Sequence, residues 1–490
     1  MKITKAILFL LMIGYGLNTF AQCSVFEYIS DTPEDELLLD LVEDESHNVY
    51  LSVLMVTQPN GSNYYARIEK LNSSGTLIAK KEIKVSGKEN LGENIFHNED
   101  TVALVGSFYD KGNDYKSAGI SIFRLNSSLS LIDSIFYYLP DTNSSRYGIY
   151  TNKQIDGTYL IGGSSRIMSN AFQSPFIYHL NTNFDSIKAK HLTHPSESGV
   201  LKYLRLVGNQ NYWGINMLKF AFQLFDSSFN LLSTQKFPAG FSGGNTSADW
   251  ESDTSFYIIG SNHYPFPDNN LCVIKQYDPI DTSNLKKLVW HQSDTVDFPA
   301  PWKGIDLKNQ DTLFFGGTRN LNIYNPYFSS QPSWFIVVQT DSALNVRWER
   351  FYGGDAYYVM TNVLASRDGG CFVGGVRYDY QNNTEQQRDV VLLKLNSEGL
   401  LVGVNNQQSI RMHEAIVFPN PGKDVMHLRI AAQHPFSVLT LYDLGGRQVL
   451  QQSINGQEAV IRTTGLAPGT YIYELSAPTG LYETGKWVKQ

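Results

Sequence analysis

The sequence predicts an all-β chain: a ring of seven four-stranded units followed by a small C-terminal β-sandwich. Three observations predict it. Two marks recur in register seven times, Gly and Asn/Asp turns separate short apolar runs, and the pattern changes abruptly near residue 412. Composition agrees. The 490 residues include 29 Tyr, 27 Phe and 39 Gly, with only 18% charged, which favours short strands and tight turns over long helices. The formal net charge of −8 excludes a general nucleic-acid binder, which needs a basic field to draw in phosphates. Three cysteines exclude a disulfide scaffold, and Cys272 and Cys371 sit in apolar runs that read as buried.

The first element is an address. Lys2 and Lys5 precede an apolar run, Ala6 to Leu17, that is too short to span a bilayer comfortably. Small residues at Thr19 and Ala21 place signal cleavage between Ala21 and Gln22. No later apolar stretch approaches the length of a spanning helix, so the mature chain is expected to carry no membrane-spanning segment. Residues 1–21 are therefore read as a signal peptide, 22–405 as the ring, 406–411 as a linker and 412–490 as the terminal sandwich.

The repeat comes next. An apolar strand runs into Asn or Asp at Asn72, Asn126, Asn181, Asp226, Asp278, Asp341 and Asn396. Ahead of each lies an apolar strand that usually closes on Gly, as in Val105-Gly106, Ile161-Gly162-Gly163, Phe315-Gly316-Gly317 and Val373-Gly374-Gly375. Four-stranded units at this period are the signature of β-propeller blades, since one unit cannot bury both its faces but a ring of them can. The last unit reads as Tyr357 to Ala365, Cys371 to Val376, Val390 to Leu395 and Leu400 to Val404. Ser24 to Ile29 is left over. It either pairs with the last unit and closes the ring or leads into the first.

The double Gly, the strand ending in Asp341 and the Trp on the next strand (Trp290, Trp348) resemble kelch-type and related bacterial propeller repeats over roughly residues 24–404. That resemblance implies a phase in which the strand ending at each Asn or Asp is third in its unit. In that phase the long connections Tyr109 to Ser117, His263 to Asn270, Arg319 to Ser333 and Tyr378 to Asp389 share one face. Tyr109, Tyr115, His263, Tyr264, Tyr324, Tyr327, Phe328, Tyr378 and Tyr380 form its candidate binding surface, because Tyr offers contact area at low entropy cost.

No catalytic signature stands out. Gly240-Phe241-Ser242-Gly243-Gly244 has the letters of a nucleophile elbow but lacks the following helix, and reads as a loop between units. His191 and His194 lack an evident third metal ligand. Asp110, Asn113 and Asp114 gather oxygen ligands of the type calcium takes, without EF-hand spacing, so a solvated loop is the default. No cofactor is expected. The leading expectation is a non-catalytic binding or adhesion protein for glycan or protein. The alternatives are a polysaccharide hydrolase or lyase, whose paired carboxylates would meet across the long-loop face, and a surface scaffold.

The last module opens on Phe418-Pro419-Asn420-Pro421. It continues through Tyr442-Asp443-Leu444-Gly445-Gly446-Arg447 and Leu466-x-x-Gly469-x-Tyr471, and ends with Lys486 and Lys489. In that order these pieces closely resemble the type A C-terminal sorting domain of the type IX secretion system, with Phe418 where Tyr is usual. The resemblance implies passage through the periplasm, contact with the type IX machinery, and a secreted or outer-surface destination.

Overall fold

The computed structural model describes residues 24–490 apart from 31, 58–62, 112–117, 140–147, 167–172, 195–196, 209, 264–268, 290–295, 383–385, 402–411, 414, 431–436 and 478–479. The proposed signal peptide with Ala21 and Gln22, the linker, and Asn113, Asp114, Tyr115 and Tyr264 lie outside the described residues. The described chain is all β.

Among the described residues, seven antiparallel sheets follow one another up to residue 395, the first six adding strands outward in chain order. The first sheet runs Asp35–Glu43, Val49–Thr57, Asn63–Leu71 and Leu77–Ile83. The strands ending at the repeated Asn or Asp are third in their sheets, as the phase predicted. Each Asn or Asp holds its own turn: Asn72 Oδ1 accepts the Ser74 and Thr76 N–H groups at 3.0 and 2.9 Å. Asp226 accepts from Ser228 and Asn230 at 2.7 and 2.8 Å, and Asp341 from Ala343 and Asn345 at 2.9 and 2.8 Å. The first mark of the repeat is therefore local turn chemistry, a side-chain carbonyl replacing a strand partner where the chain reverses.

The second mark has a packing cause. A Cβ on Gly374 would sit 2.4 Å from Leu38 of the first sheet, and one on Gly162 would sit 2.8 Å from the Leu201 carbonyl of the fourth. Glycine lets neighbouring sheets close onto one another. Gly374→Val is expected to cost about 1–3 kcal/mol by overpacking, read as a lower denaturation midpoint.

Ring closure is settled by the N-terminal strand. Phe26–Ile29 pairs antiparallel with Asp389–Leu395, from Phe26 opposite Lys394 to Ile29 opposite Val391. It is the fourth strand of the seventh sheet, whose order is Phe26–Ile29, Asp389–Leu395, Cys371–Tyr378, Tyr357–Ala365. This corrects the expected fourth strand at Leu400 to Val404: Leu400 and Leu401 are not in a strand, and 402–404 lie outside the described residues. Phe26 packs with Phe372 and the first-sheet residues Leu38 and Leu41 in one buried cluster, joining seventh to first. Buried apolar clusters likewise join first to second, second to third and so on around to sixth and seventh. This is a β-propeller.

Polar clips reinforce these junctions at the innermost strands. Asp40 Oδ2 accepts from Ile95 N–H at 3.0 Å, and Asn94 Oδ1 from Thr151 at 2.9 Å. Gln154 Oε1 accepts from Leu206 at 2.9 Å, Asp249 Oδ2 from Leu307 at 2.7 Å, and Asp306 Oδ2 from Ala365 at 2.6 Å. Asn362 closes the circle, donating to the Leu39 carbonyl at 3.1 Å.

The terminal sandwich packs a three-stranded sheet (Ala415–Phe418, Val425–Ile430, Glu458–Arg462) on a four-stranded one (Gln448–Ile454, Ser437–Asp443, Gly469–Ala477, Gly480–Lys489) around Leu428, Leu441, Tyr473 and Trp487. Met412–His413, placed by sequence at the start of this module, pairs instead with Val346–Gly353 of the sixth propeller sheet. The sandwich proper begins at Ala415.

Candidate functional site

Three regions carry the chemistry. The first is the predicted long-loop face. Tyr324 is 89% exposed there. Tyr327, Phe328, Tyr378 and Tyr380 are half-buried. The Arg388 guanidinium lies over the Tyr327 and Phe328 rings at 5.1 and 4.7 Å, and Phe328 meets Tyr378 edge-on at 5.3 Å. Arg388 is itself fixed by Asp35, at 2.7 and 2.6 Å. Tyr109 is a correction: it is buried in Thr101–Asp110 at 2% exposure and belongs to the packing of the second sheet. His263 ends the strand Phe256–His263. Asp110, half of the calcium candidate, is engaged by the Lys88 ammonium, which a cation would have to displace.

Two carboxylates do meet on this face. Asp355 and Asp379 flank Arg377, each with an oxygen 3.3 Å from its Nη2. Burial pulls Asp379 upward, but hydrogen bonds from Asn382 and the Arg377 charge outweigh it and leave the carboxyl below its usual range. A glycosidase-type general acid needs the reverse, a carboxyl held protonated near neutrality.

The second region is the ring axis. Between Asp297–Pro299 and Ile305–Asn309 of the sixth sheet, residues 300–304 cross the centre. Trp302 and Lys303 N–H groups donate to the Thr361 carbonyl at 3.2 Å each, and Gly304 N–H to Ser247 Oγ at 2.7 Å. From the fourth sheet the buried Lys202 donates to the Pro301 carbonyl at 2.9 Å, and the Tyr203 hydroxyl to that of Trp302. Burial pushes the Lys202 ammonium down to about 7. Lys303 meets Asp306 at 2.7 Å. Burial opposes its charge, but Asp306, Asp249 and Asp40 hold it above the usual lysine range. Burial in turn pushes Asp40 up to about 6 despite Lys303, and burial with the Asp306 charge does the same to Asp249. These contacts tie residues 300–304 of the sixth sheet to the fourth, fifth and seventh sheets.

The third region, missed by the sequence reading, is a cavity of about 340 Å³ at the end opposite the long loops. It lies among the third, fourth and fifth sheets, where first strands turn into second strands. Arg205 lies over the Trp250 ring at 4.5 Å and pairs with the 80%-exposed Asp253, at 3.3 Å. Asn152, Asp156 and Asp249 complete the polar wall. Asn152 Oδ1 is buried without a hydrogen-bond partner. Tyr203 holds φ at 53° where the strand Leu201–Val207 breaks register between Lys202 and Arg205. The signal for this site was weak, because Arg205 and Trp250 stand 45 residues apart on strands without the Gly or Asn marks.

Two other sequence candidates resolve into structure. The stretch expected to be a loop at Gly240 to Gly244 enters the first strand of the fifth sheet, Phe241–Trp250, with Ser242 opposite Ser261, so it is no nucleophile elbow. His191 sits in Ser186–His191, with its Nε2 3.3 Å from the Tyr178 hydroxyl, and burial lowers its basicity. Among the described residues no cluster of His, Cys, Asp or Glu could hold a metal ion.

The opening of the terminal module's motif anchors the last strand. Asn420 donates to the Lys486 carbonyl at 2.7 Å and accepts the Val488 N–H at 2.9 Å. The Trp487 indole donates to the Pro419 carbonyl at 2.8 Å, and the peptides preceding Pro419 and Pro421 are cis. Tyr471 is buried, with its hydroxyl on the Ala467 carbonyl at 2.7 Å. Asp443 caps the turn through Gly445 and Gly446 (φ 77°), accepting the Gly445 and Arg447 N–H groups at 3.0 Å each. Lys489 is buried beside Asp424 at 3.7 Å rather than forming a free basic tail.

Residues 416–490 match the secretion system C-terminal sorting domain. This sorting domain belongs to the type IX system and marks the chain for the outer cell surface or for secretion. No curated protein sequence matches the chain. Among solved structures it is similar to a streptogramin B lyase (12% identity, 75% of this chain and 97% of that one, TM-score 0.41). It is also similar to the β-propeller domain of the Trilobed protease from Pyrococcus furiosus (10%, 76% and 99%, 0.39) and to a fungal alcohol oxidase of the AA5 family (9%, 94% and 98%, 0.43). Likenesses this distant carry nothing about activity.

Proposed function

We propose that the chain is an exported, non-catalytic binding protein whose seven-bladed ring presents a glycan site in the cavity beside Trp250. The carrying observation is Arg205, which lies over the Trp250 ring in the cavity wall. Its guanidinium lies over an indole ring, and its ion pair is with the solvent-exposed Asp253. Arg205 lines the cavity together with Asn152, whose buried Oδ1 has no hydrogen-bond partner, and with Asp156 and Asp249. Donors and acceptors set around an aromatic wall suit a polyhydroxylated ring better than an apolar ligand. The long-loop face, with Tyr324 at its tip, is a second proposed contact for a glycan or protein.

Binding of the full chain to a broad glycan array tests the reading. Arg205→Gln with Asp253→Asn is expected to weaken a hit about tenfold or more, the worth of a hydrogen bond to a charged group. A hit abolished by Tyr324→Ala and untouched by the cavity pair would move the site to the long-loop face. A blank array would favour a protein partner or a scaffold role.

A further inference from the structure

The outer strands of a propeller normally face solvent, and here most of them do. Leu77–Ile83, Leu131–Tyr138, Ser186–His191 and Leu231–Lys236 are largely exposed or half-exposed. Val346–Gly353, the fourth strand of the sixth sheet, is the exception: every residue from Trp348 to Gly353 is buried. Its buried stretch, Trp348-Glu349-Arg350-Phe351-Tyr352, combines three aromatic residues with two charged ones.

What covers it is the chain's own tail. Met412–His413 adds to its edge, with His413 opposite Phe351 and Met412 opposite Tyr352. Ile416 and Phe418 join the buried cluster of Phe315, Trp334, Ile336 and Phe351. The Arg319 guanidinium, paired with Asp297 at 2.6 Å, lies over the Phe418 ring at 4.3 Å. Arg429 reaches Glu349 at 3.1 Å, with the two side chains only 4% and 2% exposed. Strand Ala415–Phe418 is consequently buried on both faces, with Ala415 and Val417 toward the sandwich core and Ile416 and Phe418 toward the propeller.

We propose that the sixth propeller sheet is a docking surface for the sorting domain in cis. It holds the three-stranded sheet through the Glu349–Arg429 ion pair and the burial of Ile416 and Phe418, and it holds the preceding Met412–His413 by edge pairing at Phe351 and Tyr352. The proposal takes the tail's role in export from the family match and adds how the passenger carries it. The motif residue Phe418 faces the passenger. The turn of Leu444, 74% exposed, and Arg447 lies on the other sheet and stays open to solvent.

Hydrogen–deuterium exchange on the purified full-length protein tests this. Amides of Phe351 and Tyr352 are expected to exchange at least about tenfold more slowly than those of the outer strand Leu231–Lys236. Arg429→Glu should erase that difference, and adding Glu349→Arg should restore it. Equal exchange in the wild-type protein would overturn the proposal, and so would protection that survives Arg429→Glu. The readout reports a contact inside the chain and is blind to export, so the docking and sorting assignments fail separately.

Discussion

Arg429→Ala is expected to lower stability by about 3–5 kcal/mol, far more than a typical surface ion pair would cost. The reason lies in what is left behind. Glu349 is 2% exposed on its side chain and has Arg429 as its cation. Removing the guanidinium strands that carboxylate in a site closed to water, so its whole desolvation cost becomes unopposed. Asp297 adds to the effect, because the same cluster keeps it buried beside Arg319. The check is chemical denaturation of single and double variants. Arg429→Ala with Glu349→Ala should cost clearly less than the sum of the two singles. A single-variant loss within about 0.5 kcal/mol, the size of ordinary surface changes, would show that the pair is not buried as described. The same physics warns against a fragment cut at residue 405, which would uncover Phe351 and the edge of its strand, so ligand screens belong on the full chain.

Phe26→Ala is the second large effect, at about 3–5 kcal/mol. Phe26 is 6% exposed and packs on Phe372, with ring centroids 6.2 Å apart. Its strand supplies the outer partner of Asp389–Leu395, while Tyr28 donates to Glu69 of the first sheet at 3.0 Å. Loosening it opens the ring at its one non-consecutive seam and bares a strand edge of apolar residues, Val390 to Leu393. Such an edge is a template for pairing with other chains. The variant is therefore expected to unfold at lower denaturant and to aggregate on the way. Unfolding that is unshifted and free of aggregation would mean that the N-terminal strand does not close the ring.

The propeller was legible because its two marks are local. An Asn or Asp that caps its own turn and a Gly that admits the neighbouring sheet write themselves at a fixed place in every unit. The closing strand was visible only as a remainder: Ser24 to Ile29 had no unit of its own, and nothing in its residues names a partner some 360 positions away. The inner polar clips were overlooked although Asp40, Asn94, Asp249, Asp306 and Asn362 also recur, because a buried acid and an exposed one look alike in sequence. The aromatic face was half legible. Tyr324 is at the surface as expected, whereas Tyr109 is buried in its strand. Tyr327 and Phe328 pack against Arg388, a residue that enters from another loop. The cavity beside Trp250 was illegible for a related reason, since Asn152, Arg205 and Trp250 converge from three sheets. The sorting domain was the most legible part, because its motif residues hold one another. Asn420 and Pro419 bind the strand that carries Trp487, so motif and C-terminus must occur together.

The terminal sandwich carries the propeller out of the cell. The direct measurement is protease accessibility of the propeller on intact cells, for the full chain and for a chain lacking 416–490. The full chain is expected to be degraded by external protease or found in the medium, while the shortened chain is protected in the periplasm. Equal arrival of the shortened chain outside the cell would contradict it.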